Sequence, residues 1–141
     1  MKEGSWQDCM ETSSALAISP DNAKARSLIE TAKGRIAFVQ SIPALREDNA
    51  NYIFENYYSS IVELIHALVL QKGYKVNNHI CLGFYLRDVL ENQELFRLFD
   101  DCRFKRNSLV YYGKKMDFKA AGETIHKSKL LIKKLEGLFL T

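Results

Sequence analysis

The strongest constraint on the fold is a long stretch of helical periodicity that opens near Asp48 and closes at Gly73. Its apolar residues fall on one helical stripe: Ile53, Phe54, Tyr57, Ile61, Leu64, Ile65 and Leu68. A spacing of three and four residues places them on the same face of an α-helix, and Gly73 easily accepts the left-handed conformation that ends one. The sequence therefore predicts a long amphipathic helix over this stretch.

Four other segments carry the same kind of pattern, at about residues 19–43, 80–91, 93–113 and from 117 onward. In the first of them, Ser19 is predicted to cap the free amides, with Pro20 in the first turn and Asp21 near the positive helix end. The stretch "GYKVNNHI", residues 73–80, is the main connector, and its Asn78 is a candidate cap for the next helix. No strand alternation of useful length is present.

Size and composition indicate one helical domain. The 141 residues suffice for a single core, only two prolines interrupt them, and 47% are hydrophobic against 26% charged. Amphipathic helices with short links predict an all-α fold, an antiparallel four- to five-helix up-and-down bundle over residues 19–141. Residues 1–18 fall outside the pattern and are predicted to form a loose N-terminal arm that Trp6 docks onto the bundle.

The cysteines and the apolar runs bear on the cell compartment. Cys9, Cys81 and Cys102 are odd in number, far apart and without a CxxC motif. We therefore expect free thiols in a reducing cytoplasm, with Cys81 packed in the core. The most apolar run, "IVELIHALVL", is interrupted by Glu63 and His66 and is too short to cross a bilayer. The sequence predicts a cytoplasmic protein with no membrane span.

Most catalytic templates are absent from the sequence. It has no glycine-rich phosphate loop, no HExxH, no GxSxG and no zinc-finger spacing, so we predict neither a metal nor a cofactor. His79 and Cys81 can share a metal only with further ligands that the sequence does not offer nearby. His66 and His126 have no recognisable local partner and are interpreted as structural or solvated. The tyrosines of "NYIFENYY", residues 51–58, follow a helical stripe and are interpreted as packing residues rather than base-stacking platforms.

Arg106 stands out within "RFKRNSLVYYGKKM", residues 103–116. It lies on the apolar face of the predicted fourth helix, whereas Arg103 is expected to face water. A guanidinium stays charged, so on an apolar face it needs an acid, backbone carbonyls or an anionic ligand. Two interpretations stay open, an internal salt bridge or a phosphate contact made by two parallel hydrogen bonds. The candidate acids for the salt bridge are Asp100, Asp101 and Glu63.

The chain resembles the HEPN family, helical-bundle proteins linked to minimal nucleotidyltransferases and to RNA-cleaving toxins. The resemblance covers about residues 19–136 and rests on the long first two helices, on "GYKVNNH" between the second and third, and on "RNSLVYYG" late in the chain. The family motif is an Arg, frequently followed by a polar residue such as Asn, and then a His four to six residues later. Arg106 and Asn107 match its start, while Tyr111 and Tyr112 stand five and six residues after Arg106, where the His is expected.

The resemblance implies a cytoplasmic prokaryotic protein of a toxin–antitoxin-type system. It implies a homodimer that binds RNA, a nucleotide or a minimal nucleotidyltransferase partner. In family members that cleave RNA, the Arg and the His of two protomers meet in a dimer cleft and act without a metal. By that analogy Arg106 is the candidate for stabilising the phosphate, with Tyr111 as the second catalytic candidate, and the ligand-binding candidates are Arg106, Asn107 and Tyr112. Because a Tyr with an ordinary pKa of about 10 is a poor base at neutral pH, binding with little or no cleavage is predicted.

Two alternatives to a binding module stay open. One is an active metal-independent endoribonuclease that uses Arg106 and Tyr111, or in which Tyr112, a distant His79 or His126 replaces the missing His. The other is a helical scaffold for protein contacts only, with Arg106 locked in a salt bridge. The incomplete motif leaves enzyme activity open and favours a non-enzyme.

Overall fold

The computed structural model describes residues 2–139, which form six helices and one small sheet. In chain order the elements are α1 (Trp6–Glu11), β1 (Ala15–Ala17), α2 (Asn22–Gln40), α3 (Ala50–Gln71), β2 (Tyr74–Val76), α4 (His79–Phe84), α5 (Gln93–Tyr112) and α6 (Phe118–Gly137). A π-helical turn, Tyr85–Val89, continues α4. The prediction of a mostly helical fold is confirmed. Across residues 2–139, none of the helices has the length and apolar character that a bilayer crossing requires.

Helix α3 is the centre of the core. It packs against α2, α5 and α6, and the stripe residues Phe54, Ile61 and Ile65 are completely buried. The chain leaves α3 through Gly73, whose φ of +89° lies in the left-handed region. The predicted long helix is confirmed, and its apolar stripe faces the other helices because burial of such a stripe is the main source of helix stability in a folded protein.

Helix α2 begins later than predicted. Its N-cap is Asp21, whose Oδ1 accepts a hydrogen bond from the Lys24 amide at 3.0 Å. The Ser19 cap was wrong, because the segment before Asp21 is fastened elsewhere: the Ile18 amide donates to the Gly73 carbonyl at 2.9 Å, and the Asp21 amide donates to the Leu70 carbonyl at 3.0 Å. These bonds hold the segment in extended form against the end of α3.

The predicted cap at Asn78 is observed, and Asp117, near which the last helix was predicted to start, caps α6. The Asn78 Oδ1 accepts from the Cys81 amide at 2.9 Å at the start of α4, and the Asp117 Oδ1 accepts from the Ala120 amide at 2.8 Å at the start of α6. Helix α5 ends at Gly113, which has a left-handed φ of +64°. These positions agree with the sequence because capping depends on local side-chain geometry.

The N-terminal segment is an ordered part of the fold rather than a loose arm. Strand β1 pairs antiparallel with β2, with Ala15 opposite Val76 and Ala17 opposite Tyr74. Trp6 does dock, as predicted, with its ring 5.3 Å from that of Tyr74 and 5.2 Å from that of Tyr85. The two strands have three residues each, too few for alternation to be visible in the sequence.

Cys9 and Cys81 form a disulfide that joins α1 to α4, with their Cα atoms 6.0 Å apart. The prediction of a free thiol at Cys81 was therefore wrong, although its burial in the core was right. The separation of 72 residues along the chain hides the pairing from the sequence. Cys102 is buried and free, and burial raises the pKa of its thiol to about 11.

Candidate functional site

A cleft of about 540 Å³ opens between the start of α4 and the C-terminal half of α5. Polar side chains from three parts of the chain line it: His79 from α4; Arg103, Arg106 and Asn107 from α5; and Lys2 and Glu3 from the N-terminal segment. The ring of Tyr111 forms part of the same wall. The cleft thus unites three predicted site residues, Arg106, Asn107 and Tyr111, with others that the sequence did not place together.

Arg106 borders the cleft because the buried part of the apolar face of α5 ends one turn before it. The buried residues of α5 are Leu95, Phe99 and Cys102, and Arg106 is the next position on that face. Its guanidinium lies 5.6 Å from the ring centroids of both Tyr58 and Tyr111. Nη1 donates a long hydrogen bond of 3.5 Å to the Tyr111 hydroxyl. Arg106 is therefore half-buried among aromatic rings and open to the cleft.

The internal salt bridge, one of the two interpretations of Arg106, is not formed. Each of the three candidate acids is held by another cation: Asp100 by Arg103 at 2.8 Å, Asp101 by Lys127 at 3.5 Å and Glu63 by Arg35 at 3.0 Å. Within residues 2–139 no carboxylate lies at ion-pair distance from Arg106. The charge is instead offset by ring faces, which attract a cation more weakly than a carboxylate does.

Arg103 is the second cation of the cleft. It was predicted to face water, but it is largely buried and paired with Asp100. Its side chain is only 21% exposed, and both Nε and Nη2 donate to Oδ1 of Asp100. Asp100 balances the charge of Arg103, whereas Arg106 has no carboxylate partner within residues 2–139.

His79 is the residue that sequence reasoning named only as a distant alternative. The Asn78 cap makes it the first residue of α4, and its Nδ1 lies 2.9 Å from the hydroxyl of Tyr58. Burial first, and then the charges of Arg106 and Arg103, lower the pKa of His79, so its imidazole is neutral at pH 7. The cap at Asn78 was readable from the sequence, but the partners on α3 and α5 were not.

Tyr58 contacts both His79 and Arg106 from the core. It is buried, its ring stacks on that of Phe99 with 6.0 Å between centroids and 10° between planes, and burial raises its pKa. Its hydroxyl therefore stays protonated and can donate to His79 or accept from it, depending on the imidazole tautomer. Of the tyrosines in residues 51–58 that were interpreted as packing residues, Tyr57 and Tyr58 are buried, whereas Tyr52 is 51% exposed.

A smaller cleft of about 230 Å³ lies on the other side of Arg106 and His79. Its walls include Val62, Ser59 and Glu63. Arg106 and His79 line both clefts, so the pair is open to a ligand from two sides.

The two tyrosines of the predicted motif have different positions. Tyr111 contacts Arg106 and lines the larger cleft, although 67% of the residue is exposed. Tyr112 is 75% exposed and lies outside the lining of that cleft. The structure thus brings Tyr111 to Arg106 and leaves Tyr112 apart from them.

One group of possible metal ligands exists in residues 2–139. Single ligand atoms of Glu3, Cys9 and Cys81 lie within 4.8 Å of one another. In the disulfide the two sulfurs are bonded to each other and are not thiolate ligands. The pair of His79 and Cys81 considered from the sequence is not part of this group.

Comparison with known proteins adds no assignment. No protein-family model matches the chain, and no curated protein or solved structure is significantly similar to it.

Proposed function

We propose that the protein is a HEPN-like binding module that takes up a phosphate-bearing ligand, RNA or a nucleotide, in the cleft between α4 and α5. The observation that carries the proposal is Arg106, a half-buried cation that no carboxylate balances within residues 2–139. A guanidinium in this situation gains from an anion that accepts two parallel hydrogen bonds, and phosphate has the matching geometry.

The neighbouring side chains supply the rest of a phosphate site. Asn107 adds amide donors, Lys2 adds a positive charge, and the exposed ring of Tyr111 offers a face for stacking a base. The chemistry favours a ligand that has both a phosphate and an aromatic ring. Tyr112, outside the cleft lining, is not needed for this binding.

Binding of a fluorescent single-stranded RNA and of a fluorescent nucleotide, followed by anisotropy at low salt, tests the proposal. Arg106→Ala is expected to weaken binding of the preferred ligand by about 10- to 100-fold, because a charge-assisted hydrogen bond contributes about 1.5–3 kcal/mol. The matched control is Arg97→Ala, which removes the same charge from an exposed position of the same helix outside the cleft. Equal losses in the two variants would show that only net charge matters and would refute a site at Arg106.

The resemblance extends the proposal to a homodimer and to a minimal nucleotidyltransferase partner in a toxin–antitoxin-type system. Sedimentation equilibrium of the purified chain tests the dimer, and co-purification with the product of an adjacent nucleotidyltransferase gene tests the partner. A monomer at tens of micromolar would contradict a cleft shared between two copies. It would not contradict ligand binding by a single chain.

RNA cleavage is the second candidate function, and the contact between His79 and Tyr58 beside Arg106 favours it. In the tautomer with the proton on Nδ1, that atom donates to the Tyr58 hydroxyl and leaves Nε2 with a lone pair for a 2′-hydroxyl proton. Arg106 would then stabilise the charge on the phosphate. This assigns to His79 the role of a base that Tyr111 fills poorly.

Incubation of purified protein with RNA in EDTA decides between binding and cleavage. Cleavage by the wild type that is lost in both Arg106→Ala and His79→Gln supports the enzyme. Cleavage lost in Arg106→Ala and Tyr111→Phe but kept in His79→Gln assigns the second role to Tyr111. Stoichiometric protein that leaves RNA intact rules out the enzyme and keeps the binding module.

A further inference from the structure

The disulfide between Cys9 and Cys81 lies beside the carboxylate of Glu3. Cys9 and Cys81 are both fully buried, and the Cys81 Sγ lies 3.6 Å from Oε2 of Glu3. That contact is not a hydrogen bond in the oxidised protein, because a disulfide sulfur carries no proton. Two cysteines that meet from separate elements can form a disulfide under oxidising conditions or share a metal under reducing ones.

The distances suit a tetrahedral ion. With Zn–S of about 2.3 Å and Zn–O of about 2.1 Å, a sulfur and an oxygen on one Zn²⁺ lie about 3.6 Å apart, which is the separation seen between Cys81 and Glu3. Two sulfurs on the same ion lie about 3.8 Å apart, so the two cysteine sulfurs must move apart once their bond is reduced. Side-chain rotation of Cys9 can supply this movement.

The carboxylate of Glu3 is already held in place. The Thr12 hydroxyl donates to its Oε2 at 2.6 Å, and the Asn78 amide donates to its Oε1 at 3.4 Å. Such hydrogen bonds orient a metal ligand before the ion arrives. Glu3 and Asn78 also line the large cleft, so a fourth coordination position would face solvent.

We propose that Cys9, Cys81 and Glu3 form a binding site for Zn²⁺ in the reduced chain, with a water in the fourth position. Reduction by a phosphine breaks the S–S bond: the phosphine takes the oxygen of one water and becomes a phosphine oxide, and the two sulfurs take up the two protons. Each thiol then releases its proton when its sulfur binds the ion. The proposal is independent of the proposed phosphate site.

Cobalt is the probe for this site, because Co²⁺ replaces Zn²⁺ in thiolate sites and gives a sulfur-to-metal absorption band. The chain is refolded with a phosphine until all three of its cysteines titrate as thiols, and Co²⁺ is added without oxygen. One Co²⁺ per chain is expected, with the band abolished by Zn²⁺. Refolded wild type that shows no thiolate band, or oxidised protein that shows the same band, overturns the proposal.

Variants identify the ligands. Cys9→Ser is expected to lose the band, whereas Cys102→Ser, the matched control, keeps it because Cys102 lies apart beside Ser128. Glu3→Gln is expected to weaken cobalt binding at least about tenfold, and Thr12→Val about 10- to 100-fold with all three ligands intact.

If Cys9→Ser does not fold, a second experiment on the wild type measures whether Zn²⁺ protects Cys9 and Cys81 from alkylation. Alkylation of both at unchanged rates refutes the site.

Discussion

Two arginines on neighbouring surfaces of this bundle have opposite environments. Arg35 of α2 forms a two-pronged ion pair with Glu63 of α3, from Nε at 3.0 Å and from Nη2 at 3.3 Å. Arg106 of α5 borders the small cleft that Glu63 also lines, yet only tyrosine faces surround its charge. An arginine is thus a structural ion-pair partner at position 35 and a candidate ligand-binding residue at position 106.

The comparison shows why an arginine on an apolar face is not by itself evidence for a salt bridge. Glu63 has two carboxylate oxygens, and Arg35 uses both of them. The acid that lines the small cleft is thus already neutralised, and the positive field at Arg106 stays available to a ligand. The availability of Arg106 depends on a pairing made elsewhere.

The largest effect is expected on removing Arg35. Arg35→Ala strands Glu63, whose side chain is only 16% exposed, and should lower the free energy of unfolding by about 2–3 kcal/mol. Arg106→Ala strands no carboxylate and should change it by less than about 0.5 kcal/mol. Urea unfolding of both variants measures the difference. A loss at Arg106 as large as that at Arg35 would mean that Arg106 has a structural partner.

Acid should destabilise the protein through His66, on the Arg35 side of α3. Burial, followed by the charges of His79 and Lys24, lowers the pKa of His66 to about 4. The unfolded chain, with a pKa of about 6.5, takes up this proton first, so stability is complete above pH 6.5 and falls between about 6.5 and 4. At about 1.4 kcal/mol per pKa unit, the His66 contribution to that fall is at most about 3 kcal/mol. The fall should shrink by that amount in His66→Gln, and identical pH profiles of the two proteins would contradict it.

A lysine at the cleft tests whether charge alone suffices. Arg106→Lys keeps the positive charge but loses the two-pronged geometry, so ligand affinity should drop by about tenfold, less than in Arg106→Ala. Anisotropy titrations of the three proteins at one salt concentration measure the order. Affinity equal to that of the wild type would reduce Arg106 to a point charge and remove the case for a geometric phosphate site.

A smaller loss of stability than that in Arg35→Ala is expected on removing the Tyr58 hydroxyl. Tyr58→Phe preserves the stacking on Phe99 and removes the hydrogen bond to His79, which should lower the free energy of unfolding by about 1 kcal/mol. Thermal or urea unfolding measures the loss, and the NMR titration of His79 shows whether its environment changes with it. Unchanged stability together with an unchanged titration would contradict the hydrogen bond.

Much of the site lay beyond sequence reasoning because its contacts join distant positions. Arg106, Asn107 and Tyr111 lie within six consecutive residues of α5, and the resemblance to the Arg–His motif, rather than helical spacing, grouped them. His79 lies beside them only because Tyr58 of α3 contacts the first residue of α4. Lys2 lies there because the Cys9–Cys81 disulfide attaches the N-terminal segment to α4. The cluster of Glu3, Cys9 and Cys81 was missed for the same reason.

The sequence by itself determined helices α2 to α6, the cap at Asn78 and the buried stripe of α3. These features depend on residues within one or two turns of each other, where spacing and capping chemistry act directly. Only the tertiary structure decided which charges are paired, which cysteines meet and where the histidine lies. Those outcomes depend on the packing of helices that are far apart in sequence, and one pairing there, Arg35 with Glu63, neutralises the candidate acid that lines the small cleft together with Arg106.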